Sequence, residues 1–266
     1  MPLDGNIILF LLLLGFLAGT IAVIVGVGGG VFYVTFLTLL FAIPIDIAVD
    51  TSTFVILIAS SIGFITYYRD GKIHLKSMAI FASFSILGSL SCMFLLLFVD
   101  IDNTILKILF ATTLLVAGLN MIRKALNTRK SLKNGIVPDN NFSLKEHDYK
   151  SNLKRAIPLF FAAGFVAYLL GVGGGIINTP SLNIVLGYPI HNSTAISTGI
   201  IFFTAIINTI LKSFLGQIDY IIGLIIALGS IGGSYVGAKL SNKIPKMQLQ
   251  IIVAGVLMLL AIRMYF

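Results

Sequence analysis

A chain of 266 residues that is 58% hydrophobic and only 11% charged, with a mean hydropathy of +1.03, lacks the polar shell that a soluble protein of this size needs. Apolar runs of about 20 residues recur, as helical membrane spans require, and the alternating pattern of a membrane barrel is absent, so the chain is an integral protein of the lipid bilayer. The net charge of +8 does not mark a nucleic-acid partner, because the basic residues collect between apolar runs, as in cytoplasmic loops. The single Cys92 excludes a disulfide framework or a multi-cysteine metal site.

The first apolar segment covers 6–25. It has no basic leader and no small-residue cleavage site, which predicts a first helix rather than a removed signal peptide. Gly26-Val27-Gly28-Gly29-Gly30 interrupts it. Glycine costs about 1 kcal/mol against alanine inside a helix, so three in a row end one. In lipid such a break persists where it is buried in protein or lines a polar cavity. Segment two, 31–43, is too short to cross comfortably at about 1.5 Å per residue, and Pro44-Ile45-Asp46 ends it. Segment three, 48–67, opens on Asp50, Thr51, Ser52 and Thr53, which are good helix-start residues. The loop 69–76 is basic. Segment four covers 77–99 and closes on Asp100-Ile101-Asp102-Asn103; segment five covers 105–122.

Residues 123–155 are rich in Lys, Asn, Ser and Asp and carry Gly135 and Pro138. This composition predicts a partly helical linker without a core of its own. It separates a first membrane repeat, 1–122, from a second, 156–266. In the second, segment six (156–170) runs into Gly171-Val172-Gly173-Gly174-Gly175, followed by segments seven (176–186), eight (193–211), nine (218–240) and ten (247–266). Gly229, Gly233 and Gly237 lie four apart in segment nine, which suits close helix packing.

Shifted by 145, residues 26–53 align with 171–198 without a gap and are identical at ten of 28 positions, among them Pro44 with Pro189, Ile45 with Ile190, Ser52 with Ser197 and Thr53 with Thr198. The same shift pairs Gly71 with Gly216, Gly88 with Gly233 and Ser89 with Ser234. Apolar composition alone would not align glycines, prolines and serines in one register, so the chain is an internal duplication. Three Lys or Arg fall in 69–76, nine in 123–155 and three in 239–246, fifteen of the eighteen. The positive-inside rule places these three loops in the cytoplasm and both termini outside. Loop 69–76 corresponds to 214–221, which has no Lys or Arg. The expected fold is therefore an all-α membrane protein of two inverted-topology repeats, each of about five helical segments with a glycine-broken helix.

Inverted repeats with broken helices are a transporter signature, with the substrate near mid-membrane where the repeats meet. Each break exposes the N-terminus of the following half-helix, whose N–H groups and positive dipole end favour an anion. The expected substrate-binding residues are Gly28, Gly29, Gly30, Thr51, Ser52, Thr53, Gly173, Gly174, Gly175, Asn178, Ser197 and Thr198, with Thr35, Ser193 and Thr194 as further hydroxyl candidates. Asp50, whose repeat counterpart is Ala195, is a candidate for carrying a coupling proton. No Lys or Arg falls in the breaks, so backbone N–H groups and hydroxyls are expected to hold the anion, with Lys107 and Lys212 toward the outer ends of their helices. Val31 and Ile176 stand where a dinucleotide fingerprint needs glycine, and no Walker lysine exists. His74, His147 and His191 have no metal spacing. No catalytic constellation, cofactor or metal site is expected.

The glycine break after the first helix, its return in the second half, the Pro-Ile then Ser-Thr pattern after each, and the pairs Gly71-Lys72-Ile73 and Gly216-Gln217-Ile218 resemble the TauE/SafE (TSUP) family of sulfite exporters. The resemblance covers nearly the whole chain outside the linker. One departure is Ile196, where the first repeat has Thr51. The resemblance implies a carrier for small, often sulfur-containing anions such as sulfite or organosulfonates in a prokaryotic cell membrane. The expected partners are that small anionic substrate and the lipid bilayer, and a homo-oligomer is compatible with such a chain. A channel-like anion uniporter is the alternative within transport; an intramembrane enzyme or a structural membrane protein has no supporting motif.

Overall fold

The computed structural model describes residues 4–133, 152–241 and 246–265, with side chains except at 124–133, 246–250 and 252. Among these residues ten α-helices follow in chain order: α1 (Gly5–Val25), α2 (Gly30–Leu40), α3 (Ile45–Arg69), α4 (Leu75–Leu96), α5 (Asn103–Lys133), α6 (Leu153–Leu170), α7 (Gly175–Pro180), α8 (Ile190–Leu215), α9 (Tyr220–Leu240) and α10 (Lys246–Tyr265). No strand occurs among the described residues. Among the described residues, seven helices are long and apolar enough to cross a membrane: α1, α3, α4, the Asn103–Arg123 part of α5, α6, α8 and α9. The all-α membrane fold follows from composition as expected. Helix α5 continues to Lys133, beyond the predicted end of segment five and into the segment read as a linker; residues 134–151 of that segment lie outside the described residues.

Glycine sets the ends of the short helices. Helix α1 stops because Gly26 adopts φ 74°, and α2 starts from Gly29 at φ 71°. Gly171 at 63° and Gly174 at 72° repeat this between α6 and α7. A side chain in this left-handed region costs roughly 1–2 kcal/mol. Helix α2 has 11 residues and α7 has six, about 17 Å and 9 Å long, so neither crosses a hydrocarbon core of about 30 Å. Pro180 lacks the N–H that would continue α7, and the chain widens into a π turn, Ser181–Val185, closed by the Leu186 N–H to the Ser181 carbonyl at 3.2 Å.

The packing follows the duplication. Leu12, Phe16 and Thr20 of α1 press their backbone against Gly229, Gly233 and Gly237 of α9, so the two helices run parallel in van der Waals contact. Phe161 of α6 presses on Gly88 of α4 and Ser85 on Gly164, which is the same contact moved to the other repeat by the 145-residue shift. Helix α3 runs antiparallel to its own counterpart α8: Asp50 meets Lys212, Thr53 meets Thr209, and Gly63 meets Thr198. Helices α5 and α10 are antiparallel too, with Thr112 against Tyr265 and Gly118 against Ala254 and Met258. Asp70, after α3, reaches Lys72 and also Lys239 of α9, so basic loop 69–76 and the end of α9 share one end of the bundle. The starts of α3 and α9 meet at the opposite end, where the Asp219 N–H donates to the Thr51 hydroxyl at 3.0 Å.

With Cys92, which is fully buried, replaced by alanine, single cysteines at exposed Lys76 and Asp102 test which end faces the cytoplasm. An impermeant thiol reagent is expected to label Asp102→Cys in intact cells and Lys76→Cys only after permeabilisation. Labelling at 76 in intact cells reverses the orientation.

Candidate functional site

The two breaks meet. An atom added at Gly30 would strike the Gly171 carbonyl, and one added at Gly175 would strike the Gly26 carbonyl and Val27. Gly28 and Gly173, the middle residues of the two runs, face one another beside Ile201. They are half-buried while the other four residues of each run are buried. Helix α2 leads away from this contact toward the start of α3. Helix α7 leads away toward the start of α8. The first N–H groups of each have no partner within their own helix, so two half-helix N-termini point into the middle of the bundle.

The predicted hydroxyls hold the breaks in place. The Ser52 hydroxyl donates to the Gly171 carbonyl at 2.9 Å, and Ser197, its repeat counterpart, donates to the Gly26 carbonyl at 3.1 Å. Each serine thus fastens the opposite repeat's break. Thr179 adds a second bond to the Gly26 carbonyl, 2.8 Å. Thr53 and Thr198 donate back along their own helices to Val49 and Thr194, both at 2.9 Å. Thr35, Ser193 and Thr194 do the same, to Val31, Pro189 and Ile190. The sequence reading expected these hydroxyls to face an anion; in this structure their protons go to backbone carbonyls, the usual outcome for Ser and Thr inside helices. Thr51 accepts from Asp219 rather than facing the breaks. Asn178, directly after the second break, is 1% exposed, and neither its amide oxygen nor its nitrogen has a hydrogen-bond partner among the described residues. Its repeat counterpart Tyr33 is bonded to Ser230 at 2.9 Å.

A cleft of about 360 Å³ opens at the end opposite the basic loops. Asp46, Asp50, Asp100, Tyr168, Lys212 and Gln217 bring polar groups to its wall, and Val49 and Leu169 also line it. Lys212 is 3% exposed and sits 2.9 Å from the Asp50 carboxylate, which is 17% exposed. The Gln217 N–H donates to the second Asp50 oxygen at 2.9 Å, and the Tyr168 ring lies 5.1 Å from the Lys212 nitrogen. One helical turn deeper, about 5.4 Å along the axis, Thr53, Gly173, Thr204 and Asn208 surround a void of about 10 Å³, room for about one water. Asn208 is 2% exposed and its side-chain oxygen is unpaired among the described residues. Cleft, ion pair, small void and glycine contact therefore lie in series. Sequence reasoning placed Lys212 toward the outer end of its helix, and it does lie in the last turn of α8. Its burial and its pairing with Asp50 were missed. The available signal was broken symmetry: Lys212 corresponds to Tyr67, and Asp50 to Ala195.

The sulfite exporter TauE/SafE family model matches residues 11–264. "Probable membrane transporter protein YdhB" of Bacillus subtilis is 30% identical over 243 residues, 91% of this chain and 94% of that protein. A "Probable membrane transporter protein" of Methanocaldococcus jannaschii is 30% identical over 261 residues, 93% of this chain and 91% of its own. A third relative, YunE of Bacillus subtilis, is 23% identical over 265 residues, 96% of both chains. No solved structure matches.

The serine fastenings are unequal. The Gly171 carbonyl depends on Ser52, whereas the Gly26 carbonyl keeps Thr179 when Ser197 is lost. A buried carbonyl left without a donor costs about 1–3 kcal/mol. Ser52→Ala is therefore expected to lower the thermal midpoint more than Ser197→Ala, by about 1 kcal/mol in stability. Equal effects in thermal unfolding of the detergent-solubilised protein contradict the assignment.

Proposed function

Because the chain belongs to the sulfite exporter TauE/SafE family, a family of membrane transporters rather than enzymes, we propose that it is a secondary transporter that carries small sulfur-containing anions, such as sulfite or organosulfonates, outward by alternating access. It is a multi-pass plasma-membrane protein, with relatives in a bacterium and an archaeon. In this reading 1–122 and 156–266 are two repeats of opposite orientation, joined by a cytoplasmic linker. The antiparallel contact of α3 with its counterpart α8, and of α5 with α10, supports that relation.

One observation carries the reading: two half-helix N-termini meet at the Gly28–Gly173 contact, directly below a cleft that opens at one end of the bundle. Backbone N–H groups there suit an anion without holding it too tightly to release. At the basic end the position equivalent to Lys212 is Tyr67, fully buried, whose hydroxyl donates to the Val23 carbonyl at 2.9 Å. One end is open to an anion and the equivalent place at the other is filled, as alternating access requires of a single state. The glycine contact below the cleft favours a carrier over a continuous channel. The charge pattern makes the cleft end the external one.

Proteoliposomes loaded with sulfite, thiosulfate, sulfoacetate or methanesulfonate test this. At least one anion is expected to leave faster than from protein-free vesicles, and Gly30→Ala, which drives a methyl into the Gly171 carbonyl, is expected to stop it while the protein still inserts. Efflux at the protein-free rate for all four anions contradicts the reading.

A further inference from the structure

The geometry points to Lys212 as the side chain that takes the anion from the cleft, and to Asp50 as a resident carboxylate that a proton neutralises as the anion binds. This rests on the transport reading above and names a binding residue and a coupled proton within the same route.

Position comes first. The pair stands between the cleft and the deeper void. Asn208 and Thr53, which line that void, lie one turn below Lys212 and Val49, so an anion passing from the cleft to the glycine contact passes the Lys212 ammonium.

Bonding capacity comes second. An ammonium has three N–H donors. The carboxylate of Asp50 and the face of Tyr168 are the partners that Lys212 has among the described residues. A group that holds one oxyanion at 2.9 Å can hold another, since sulfite and sulfonates present the same kind of charged oxygen to an N–H donor.

Broken symmetry comes third. The repeat equivalents are Tyr67 and Ala195, and that end closes with a tyrosine-to-carbonyl hydrogen bond. The duplicated fold therefore does not need a buried ion pair at this position. A buried pair is weak evidence for stability, because desolvation offsets its attraction.

While Asp50 is ionised, the pair is neutral and the anion meets repulsion. Asp46 on the same helix and Asp100 from the α4–α5 loop add negative charge to the cleft wall. The other titratable groups nearby are Tyr168 on α6, buried Cys92 on α4, and Asp219, whose carboxylate caps α9 through the Ile221 and Ile222 N–H groups. None but Lys212 is a cation. A proton from the cleft on Asp50 frees Lys212 for the substrate without leaving a net charge buried. Binding of a monoanion and uptake of one proton then occur together, and affinity falls as pH rises.

Binding is measured by calorimetry, and proton uptake by an indicator in weak buffer. The probes are methanesulfonate and ethanesulfonate, monoanions with no proton to exchange near neutrality. The wild type is expected to take up about one proton per anion bound. Lys212→Met is expected to lose about tenfold or more in affinity, the scale of one charge-assisted bond. Asp50→Asn is expected to bind without proton uptake. Should Asp50→Asn fail to fold with an unpaired buried lysine, the double variant Asp50→Asn/Lys212→Met has no orphan charge, and it is expected to fold and bind as weakly as Lys212→Met. Wild-type affinity in Lys212→Met, or wild-type binding without proton uptake, overturns this inference and leaves the transport reading standing. A wild type that binds neither probe overturns this inference, whereas efflux at the protein-free rate for all four anions overturns the transport reading and this inference with it.

Discussion

Two stretches of backbone can touch only where no Cβ stands between them, and the contact of Gly26–Gly30 with Gly171–Gly175 depends on that. At Gly30 and Gly175 an added methyl would strike a carbonyl of the opposite run. The left-handed φ of Gly26, Gly29, Gly171 and Gly174 ends one helix and starts the next within a few residues. Glycine thus does two things at once here: it breaks the helix and lets the breaks approach. Close packing elsewhere follows the same logic, since α1 and α9 meet along Gly229, Gly233 and Gly237. In lipid there is little hydrophobic drive between helices, and small residues supply the contact area that replaces it.

A broken helix in a membrane leaves carbonyls that no water reaches. The duplication provides for both: Ser52 serves the Gly171 carbonyl and Ser197 the Gly26 carbonyl, each across the repeat boundary. The breaks are therefore coupled to the opposite repeat's long helix, α3 or α8. A break that keeps its serine bond moves only together with the long helix that donates it. Beside this frame four polar groups whose positions 145 residues away carry a different residue, Asp50, Lys212, Asn178 and Asn208, lie along the line from the cleft to the glycine contact or directly after the second break.

Much of this was legible in the sequence, for physical reasons that can be named. Apolar run length gave ten helical segments, because a bilayer sets the length of a span. The 145-residue register is read directly from the letters, and the contacts of Gly233 with Phe16 and of Gly88 with Phe161 recur at that spacing. Glycine runs gave the helix breaks, since few other residues end a helix in lipid so reliably. The hydroxyls were less legible. Ser52, Thr53, Ser197 and Thr198 are at the predicted place, but whether a hydroxyl points at a ligand or at a carbonyl depends on rotamer and on which strand of backbone arrives beside it. Lys212 and Asp50 lie 162 positions apart, and no local pattern joins them. Their shared departure from repeat symmetry was the only trace.

The central claim is that the anion's route runs past Lys212 to the meeting point of the two breaks. Diffraction from crystals grown with selenite, a selenium analogue of sulfite, locates the ion by its anomalous signal. The account predicts a selenium peak within hydrogen-bond reach of the Lys212 nitrogen, Asn208 or the N–H groups that follow Gly28 and Gly173. A bound selenite found elsewhere, between α5 and α10 or on the basic loops, with none on that line, would contradict it.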